Sequence, residues 1–117
     1  MDRDKNRLFF YWNIGRNVHN NHNSCDNVIE RYSNYYTYYF GNSYKYTREN
    51  IKYMEKFYLN FPIFYKKLGN ISWEQYKLLL NIKSKKERFF YFRLMLLFKN
   101  DYYESLELLK NNYYNRL

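Results

Sequence analysis

The sequence predicts an all-α fold, a compact bundle of about six helices in a single domain, residues 1–117. Apolar residues recur at spacings of three and four along most of the chain, which is the period of a helix with one buried face. No segment alternates apolar and polar residues for the length of a strand. The second half carries three capping boxes, helix-start signatures in which Ser or Asp precedes Gln or Glu by three residues. They are Ser72 with Gln75, Ser84 with Glu87, and Asp101 with Glu104.

The first two helices are separated by a polar loop. We expect them over about 5–19 and 27–40, because residues 20–26 between them lack apolar periodicity. Gly41 then suits the left-handed position that commonly ends a helix. The sequence therefore places the end of the second helix at this glycine.

The third helix is expected over 48–61, after a turn at 41–46. Thr47 can cap it through its hydroxyl, and Pro62 has no N–H with which to continue it. The order of the second helix, the turn and the third helix predicts a helix-turn-helix, although the turn is longer than usual. A short hairpin at 65–71 would add a wing to this element.

The capping boxes position the last three helices. These are expected over 73–81, over 85–98, and from Asp101 to about Tyr114. In each box the first side chain accepts from an early backbone N–H, and the side chain three residues later bonds back to the cap. Three boxes at helix-length spacing make the helical prediction consistent across the second half.

The charge balance points to a polyanionic partner. The chain has 20 Lys and Arg against 11 Asp and Glu, for a net charge of +9. Much of the excess lies in 43–67 and 83–93, and clustered basic charge favours nucleic acid. The 17 Tyr and 10 Phe are spread along the whole chain. Biased codon usage explains these aromatics better than a stacking platform, which needs them on one basic face.

The third helix has an apolar face and a basic face. An ordinary solvated surface and a DNA-reading surface both account for the polar side. In the DNA-reading interpretation Arg48, Asn50 and Tyr53 reach bases, since Arg pairs well with guanine and Asn with adenine. Six lysines are assigned to phosphate contacts: Lys52, Lys56, Lys66, Lys67, Lys85 and Lys86.

Catalytic and cofactor sites are not expected. His19, His22 and Cys25 have metal-ligand spacing, but they lie in an Asn-rich stretch without a second ligand cluster, which favours a solvated loop. Phosphate-binding glycine loops and the acid–lysine pattern of restriction-type nucleases are missing from the sequence. The single cysteine, with no apolar leader or membrane-length run, predicts a cytoplasmic protein without a membrane partner.

Motifs along the chain resemble a known family. Tyr11-Trp12-Asn13-Ile14-Gly15-Arg16 is similar to the signature that opens the N-terminal domain of the YhcG family. Further matches follow in the same order to the end of the chain. They include Phe40-Gly41, Asn50-Ile51, Phe57-Tyr58, Phe61-Pro62, Ile71-Ser72-Trp73, Leu79-Leu80, Glu87-Arg88 and Tyr114-Asn115-Arg116-Leu117.

The resemblance implies a helical module that is regarded as DNA-binding and that precedes a PD-(D/E)xK nuclease domain in the family. Since the nuclease half is missing here, cleavage is not carried over. Gln75 stands where the family usually has histidine, and Asp101-Tyr102 replaces a tryptophan-serine start of the last helix. We expect both departures to change the local packing or a contact at these positions.

Two functions remain open at this point. The first is a non-catalytic duplex-DNA-binding module from a mobile element or a defence locus. The alternative is a protein-binding module, an adaptor or inhibitor of a nuclease or CRISPR effector of the kind that phages encode. A homodimer is compatible with either function.

Overall fold

The computed structural model describes residues 2–22, 27–41 and 44–116, and these residues confirm the all-α prediction because none of them lies in a strand. Among these residues, the 3₁₀ helices Lys66–Asn70 and Tyr113–Arg116 accompany the α-helices. The α-helices are α1 Asp2–Asn21, α2 Val28–Phe40, α3 Arg48–Asn60, α4 Trp73–Leu80, α5 Lys85–Phe98 and α6 Tyr102–Lys110.

The capping signals set the helix ends as expected. Gly41 adopts the left-handed conformation with φ 66° and its N–H donates to the Thr37 carbonyl over 2.8 Å. Ser72 and Asp101 form reciprocal capping boxes, and Ser84 makes the first half of one by accepting from the Glu87 N–H over 3.3 Å. These contacts are local, so the sequence pattern alone could identify them.

The first helix is longer than expected. Asn20 and Asn21, assigned to a loop from sequence, belong to α1. The Asn21 side chain donates to the Asn17 carbonyl over 2.7 Å and to the Tyr32 hydroxyl over 3.0 Å. The contact with α2 therefore stabilises a helix end that polar composition alone does not favour.

The predicted wing is wrong. Residues 65–71 contain the 3₁₀ helix Lys66–Asn70 instead of a hairpin, and its Leu68 is fully buried. The Tyr76 hydroxyl of α4 donates to the Leu68 carbonyl over 2.6 Å. Burial raises the pKa of Tyr76, so its hydroxyl keeps the proton that this hydrogen bond needs.

The last helix also ends earlier than expected, at Lys110 and not near Tyr114. Asn112 has a positive φ of 52°, which breaks the helix before the second 3₁₀ segment. The Tyr114 N–H then donates to the Tyr91 hydroxyl of α5 over 2.9 Å. A contact with a distant residue thus replaces the helical hydrogen bond that the sequence suggested.

The chain divides into two compact units. Arg7–Phe64 form one unit, and Tyr65–Leu117 form the other together with Met1–Asn6. The first unit contains most of α1 with α2 and α3. The second contains α4, α5, α6 and the 3₁₀ helices Lys66–Asn70 and Tyr113–Arg116.

A close approach of α1 to α3 organises the first unit. A Cβ atom at Gly15 would lie 1.9 Å from the Met54 carbonyl oxygen, so only glycine fits there. Trp12, one turn earlier, is buried and its Nε1 donates to the Phe61 carbonyl over 2.7 Å. The Arg16 guanidinium lies 5.1 Å from the Trp12 ring centre. The Trp-x-x-Gly-Arg pattern therefore serves the packing of α1 against α3.

A buried polar side chain organises the second unit. Gln75 of α4 donates to the Asn100 carbonyl over 2.8 Å and to the Ser105 hydroxyl over 2.9 Å. Its carbonyl oxygen also accepts from the Ser72 N–H over 3.0 Å. Since Gln75 and Ser105 are both buried, these bonds satisfy groups that water cannot reach. Gln75 thus joins α4 to the start of α6.

Candidate nucleic-acid interface

The buried face of α3 determines which of its residues point towards solvent. Ile51, Met54 and Phe57 are completely buried, so the residues between them turn away from the core. Thr47 caps the helix by accepting from the Asn50 N–H over 3.2 Å, as the sequence predicts. The cap therefore stabilises the first turn of α3, and the buried residues pack one side of the helix into the core.

The outward side of α3 forms a concave surface, which we call the α3 groove, with a volume of about 630 Å³. It includes four of the residues predicted to contact DNA. The described residues that line it are Thr47, Arg48, Glu49, Lys52, Tyr53 and Lys56.

The α3 groove carries three exposed cations, Arg48, Lys52 and Lys56. Within the described part of the chain, none of the three forms a salt bridge. The Lys56 ammonium lies 5.7 Å from the centre of the Tyr53 ring, which places a cation beside an aromatic face. Among the described lining residues Glu49 is the one acid, against three cations.

The other acid of α3, Glu55, does not line the groove. Its Oε2 atom lies 2.7 Å from Nε2 of His22 and 3.4 Å from Nδ1 of His19. No sequence pattern indicates this cluster, because the histidines and the glutamate lie more than thirty positions apart along the chain. Glu55 is therefore engaged by α1 and the turn that follows it.

The metal-like spacing noted in the sequence falls only partly within the structure, since Cys25 and Asp26 lie outside the described residues. Among the residues that are described, no group of three His, Cys, Asp or Glu side chains has an arrangement suited to a metal ion. Over the same residues, no helix combines the length and the apolarity needed to cross a bilayer.

Asn50 has a structural contact that the sequence did not predict. Its side-chain amide donates to the Tyr44 carbonyl over 2.9 Å and is within 3.4 Å of the Lys45 carbonyl. These bonds join the first turn of α3 to the connection that precedes it. Asn50 does not line the α3 groove, unlike Arg48 and Tyr53, its companions in the predicted base-reading set.

The remaining predicted residues lie in the second unit. Lys66 and Lys67 are exposed on the 3₁₀ helix Lys66–Asn70, and Lys85 and Lys86 are exposed in the first turn of α5. The structure therefore gathers Arg48, Lys52, Tyr53 and Lys56 on one helix and presents the four lysines on other elements.

The helix-turn-helix stays a prediction. Ser33 of α2 donates to the Tyr46 carbonyl over 2.6 Å, which ties α2 to the connection before α3. That connection, 41–47, has seven residues, more than the three or four that the motif commonly uses.

The fold defines the broad class of this protein. It is a small all-α module whose third helix carries exposed cations. The family comparison is more specific: residues 3–116 match the DUF1016 N-terminal domain, and the chain belongs to this family. The resemblance to the YhcG family is thus confirmed over nearly the whole chain. Neither the search of curated proteins nor that of solved structures gave a significant match.

Proposed function

We propose that the chain is a non-catalytic module that binds duplex DNA through the α3 groove. The observation that supports this most is the set of three exposed cations on one helix face, none of them in a salt bridge with a described acid. A cation without an internal partner remains available to neutralise phosphate, and each neutralised phosphate releases counterions.

The roles of the groove residues follow from their chemistry. Lys52 and Lys56 contact phosphates as point charges. Arg48 lies in the first turn of α3, the part of a recognition helix that reaches base edges, and its guanidinium matches guanine. Tyr53 lies beside Lys56 and contributes a hydroxyl and an aromatic face. Further phosphate contacts are assigned to Lys66, Lys67, Lys85 and Lys86.

Fluorescence anisotropy with a labelled random duplex of about 20 base pairs, two helical turns, tests the proposal. We expect binding at low salt that weakens steeply as salt is added. Lys52→Gln should reduce affinity, whereas Lys110→Gln, which removes the same charge from the exposed end of α6, should reduce it much less. Absence of binding at low salt would refute the proposal, and equal losses in both variants would show that net charge alone is responsible.

A second candidate function, protein binding as an adaptor or an inhibitor of a nuclease or CRISPR effector, is favoured by an apolar surface in the second unit. Leu97 and Phe98 end α5 with 72% and 65% of their surface exposed, and Tyr103 in the first turn of α6 is 75% exposed. Arg93 and Lys99 are exposed on the same stretch. Large exposed apolar side chains with cations nearby are typical of protein interfaces.

Affinity capture from host lysate after nuclease digestion tests this second function. A partner nuclease or effector should be retained by the wild-type chain and lost from Leu97→Ser/Phe98→Ser. It should be retained by Tyr44→Ser, which removes an exposed aromatic residue from the other unit. If no such protein survives digestion, or both variants lose it equally, the apolar surface has no role in binding.

A further inference from the structure

The outer side of α2 carries three exposed tyrosines, which we call the tyrosine face: Tyr35, Tyr38 and Tyr39, with 55%, 81% and 64% of their surface in water. The Tyr35 and Tyr39 ring centres are 4.7 Å apart, and those of Tyr38 and Tyr39 are 5.1 Å apart. The rings therefore touch one another and form one continuous surface. Tyrosine is enriched at protein interfaces, where its ring is buried at a low entropic cost.

We propose that the tyrosine face is the contact surface between two copies of this chain. Charge is the first argument. The ionised side chains of α2 are Glu30 and Arg31, so this helix is neutral in a chain of net charge +9. Two identical basic molecules repel each other least where neither presents excess charge. The proposal does not depend on DNA binding.

The spacing along α2 suits a two-fold arrangement. Arg31, Tyr35 and Tyr39 recur every four residues and share one side of the helix. If two antiparallel α2 helices meet at Tyr35, each Arg31 lies opposite Tyr39 of the other copy, because both are four residues from the centre. A guanidinium over a tyrosine ring is a favourable pair. Self-complementary pairing of this kind is what a two-fold dimer requires.

The exposed area predicts a weak dimer. The three side chains together leave the equivalent of about two whole tyrosines in water, roughly 300–500 Å² for each copy. A standard stable interface buries about 800 Å² on each partner, so this surface supplies about half of that area. We therefore expect a dissociation constant in the micromolar range and not a permanent dimer.

Single-stranded nucleic acid is the other ligand that exposed tyrosines suit, but the surface fits it less well. Strand binding needs aromatic rings inside a strongly basic groove. The α2 helix contains no lysine, and Arg31 is its single cation. The rings also contact one another, which leaves no gap between them for a base.

Sedimentation velocity over concentrations up to about 500 µM tests the proposal. The wild-type chain should shift from monomer to dimer with a micromolar midpoint. Tyr38→Ser should weaken the association at least about tenfold. Tyr44→Ser, which removes a similarly exposed tyrosine from the connection before α3, should leave it unchanged. A monomer throughout the range, or an equal effect of both variants, overturns the proposal.

A double-mutant cycle with Arg31→Gln and Tyr39→Leu tests the predicted pairing. These residues lie eight positions apart, about 12 Å along the helix, so they do not touch within one copy. Coupling in the dimerisation constant therefore reports contact between copies. The cycle should be non-additive in dimerisation and additive in the unfolding of dilute monomer. Additive effects on dimerisation contradict the two-fold arrangement.

Discussion

The two sides of α3 differ in what determines their residues. On the inward side, Met54 is fully buried and its carbonyl meets the backbone of α1 at Gly15. On the outward side, Lys52 and Lys56 are exposed in the α3 groove. Since the two sides alternate along one helix, variants two positions apart separate the effect on folding from the effect on binding. The inward side specifies the structure, and the outward side is available to specify a partner.

The largest expected effect is that of Met54→Ala. Removing a fully buried methionine costs its transfer free energy and leaves a cavity, together about 2–5 kcal/mol. Urea unfolding followed by circular dichroism measures this loss. Lys52→Ala, two positions away on the outward side, should change the free energy of unfolding by no more than about 0.5 kcal/mol. Similar losses in both variants would mean that the two sides are not distinct.

Gly15→Ala should also destabilise the chain, by about 1–3 kcal/mol or more, because the new Cβ would collide with the Met54 carbonyl oxygen. The sign is informative, since replacing glycine by alanine inside an ordinary helix stabilises it by about 1 kcal/mol. Thermal unfolding measures the change. Asn17→Ala, at an exposed position of the same helix, serves as the control and should cost little. A more stable Gly15→Ala variant would contradict the close approach of α1 to α3.

Asn50→Ala tests whether the Asn50 side chain serves the fold or the binding surface. The side-chain amide of Asn50 bonds to the Tyr44 carbonyl, so its removal should lower the free energy of unfolding by about 1 kcal/mol. Duplex affinity, measured at a temperature where both proteins are folded, should change little. If affinity falls while stability is retained, Asn50 reads bases, as its residue type suggested from sequence.

The smallest expected effect on stability comes from Lys56→Gln. The Lys56 ammonium is exposed and contacts the Tyr53 ring, so unfolding should change by less than about 1 kcal/mol. Duplex affinity at low salt should nevertheless fall. Calorimetric unfolding and fluorescence anisotropy on the same protein samples measure the two quantities. A large loss of stability would assign Lys56 to the framework of the fold.

The sequence predicted those parts of the fold that depend on neighbouring residues. The caps at Thr47, Ser72 and Asp101 are made within four positions, and α5 begins and ends where expected. The apolar spacing of α3 likewise identified its buried side, and therefore its outward cations.

The features that the sequence did not predict depend on contacts between residues more than one helical turn apart along the chain. The 3₁₀ helix Lys66–Asn70 takes the place of the expected hairpin at 65–71, and the Tyr76 hydroxyl of α4 bonds to its Leu68 carbonyl. The bond of the Asn50 side chain to the Tyr44 carbonyl depends on the path of the chain before α3, which the residue type does not reveal. The engagement of Glu55 by His19 and His22 likewise requires α1 and α3 to pack together.

The salt dependence of duplex binding tests most directly the claim that the α3 groove contacts DNA. The slope of the logarithm of the binding constant against the logarithm of salt concentration counts the neutralised phosphates, at about 0.9 for each. Replacing Lys52 and Lys56, the two lysines of the groove assigned to phosphates, together by Gln should make the slope shallower by about two, with unfolding unchanged. An unchanged slope in a folded double variant would show that these lysines do not contact phosphates and would contradict the proposed function of the groove.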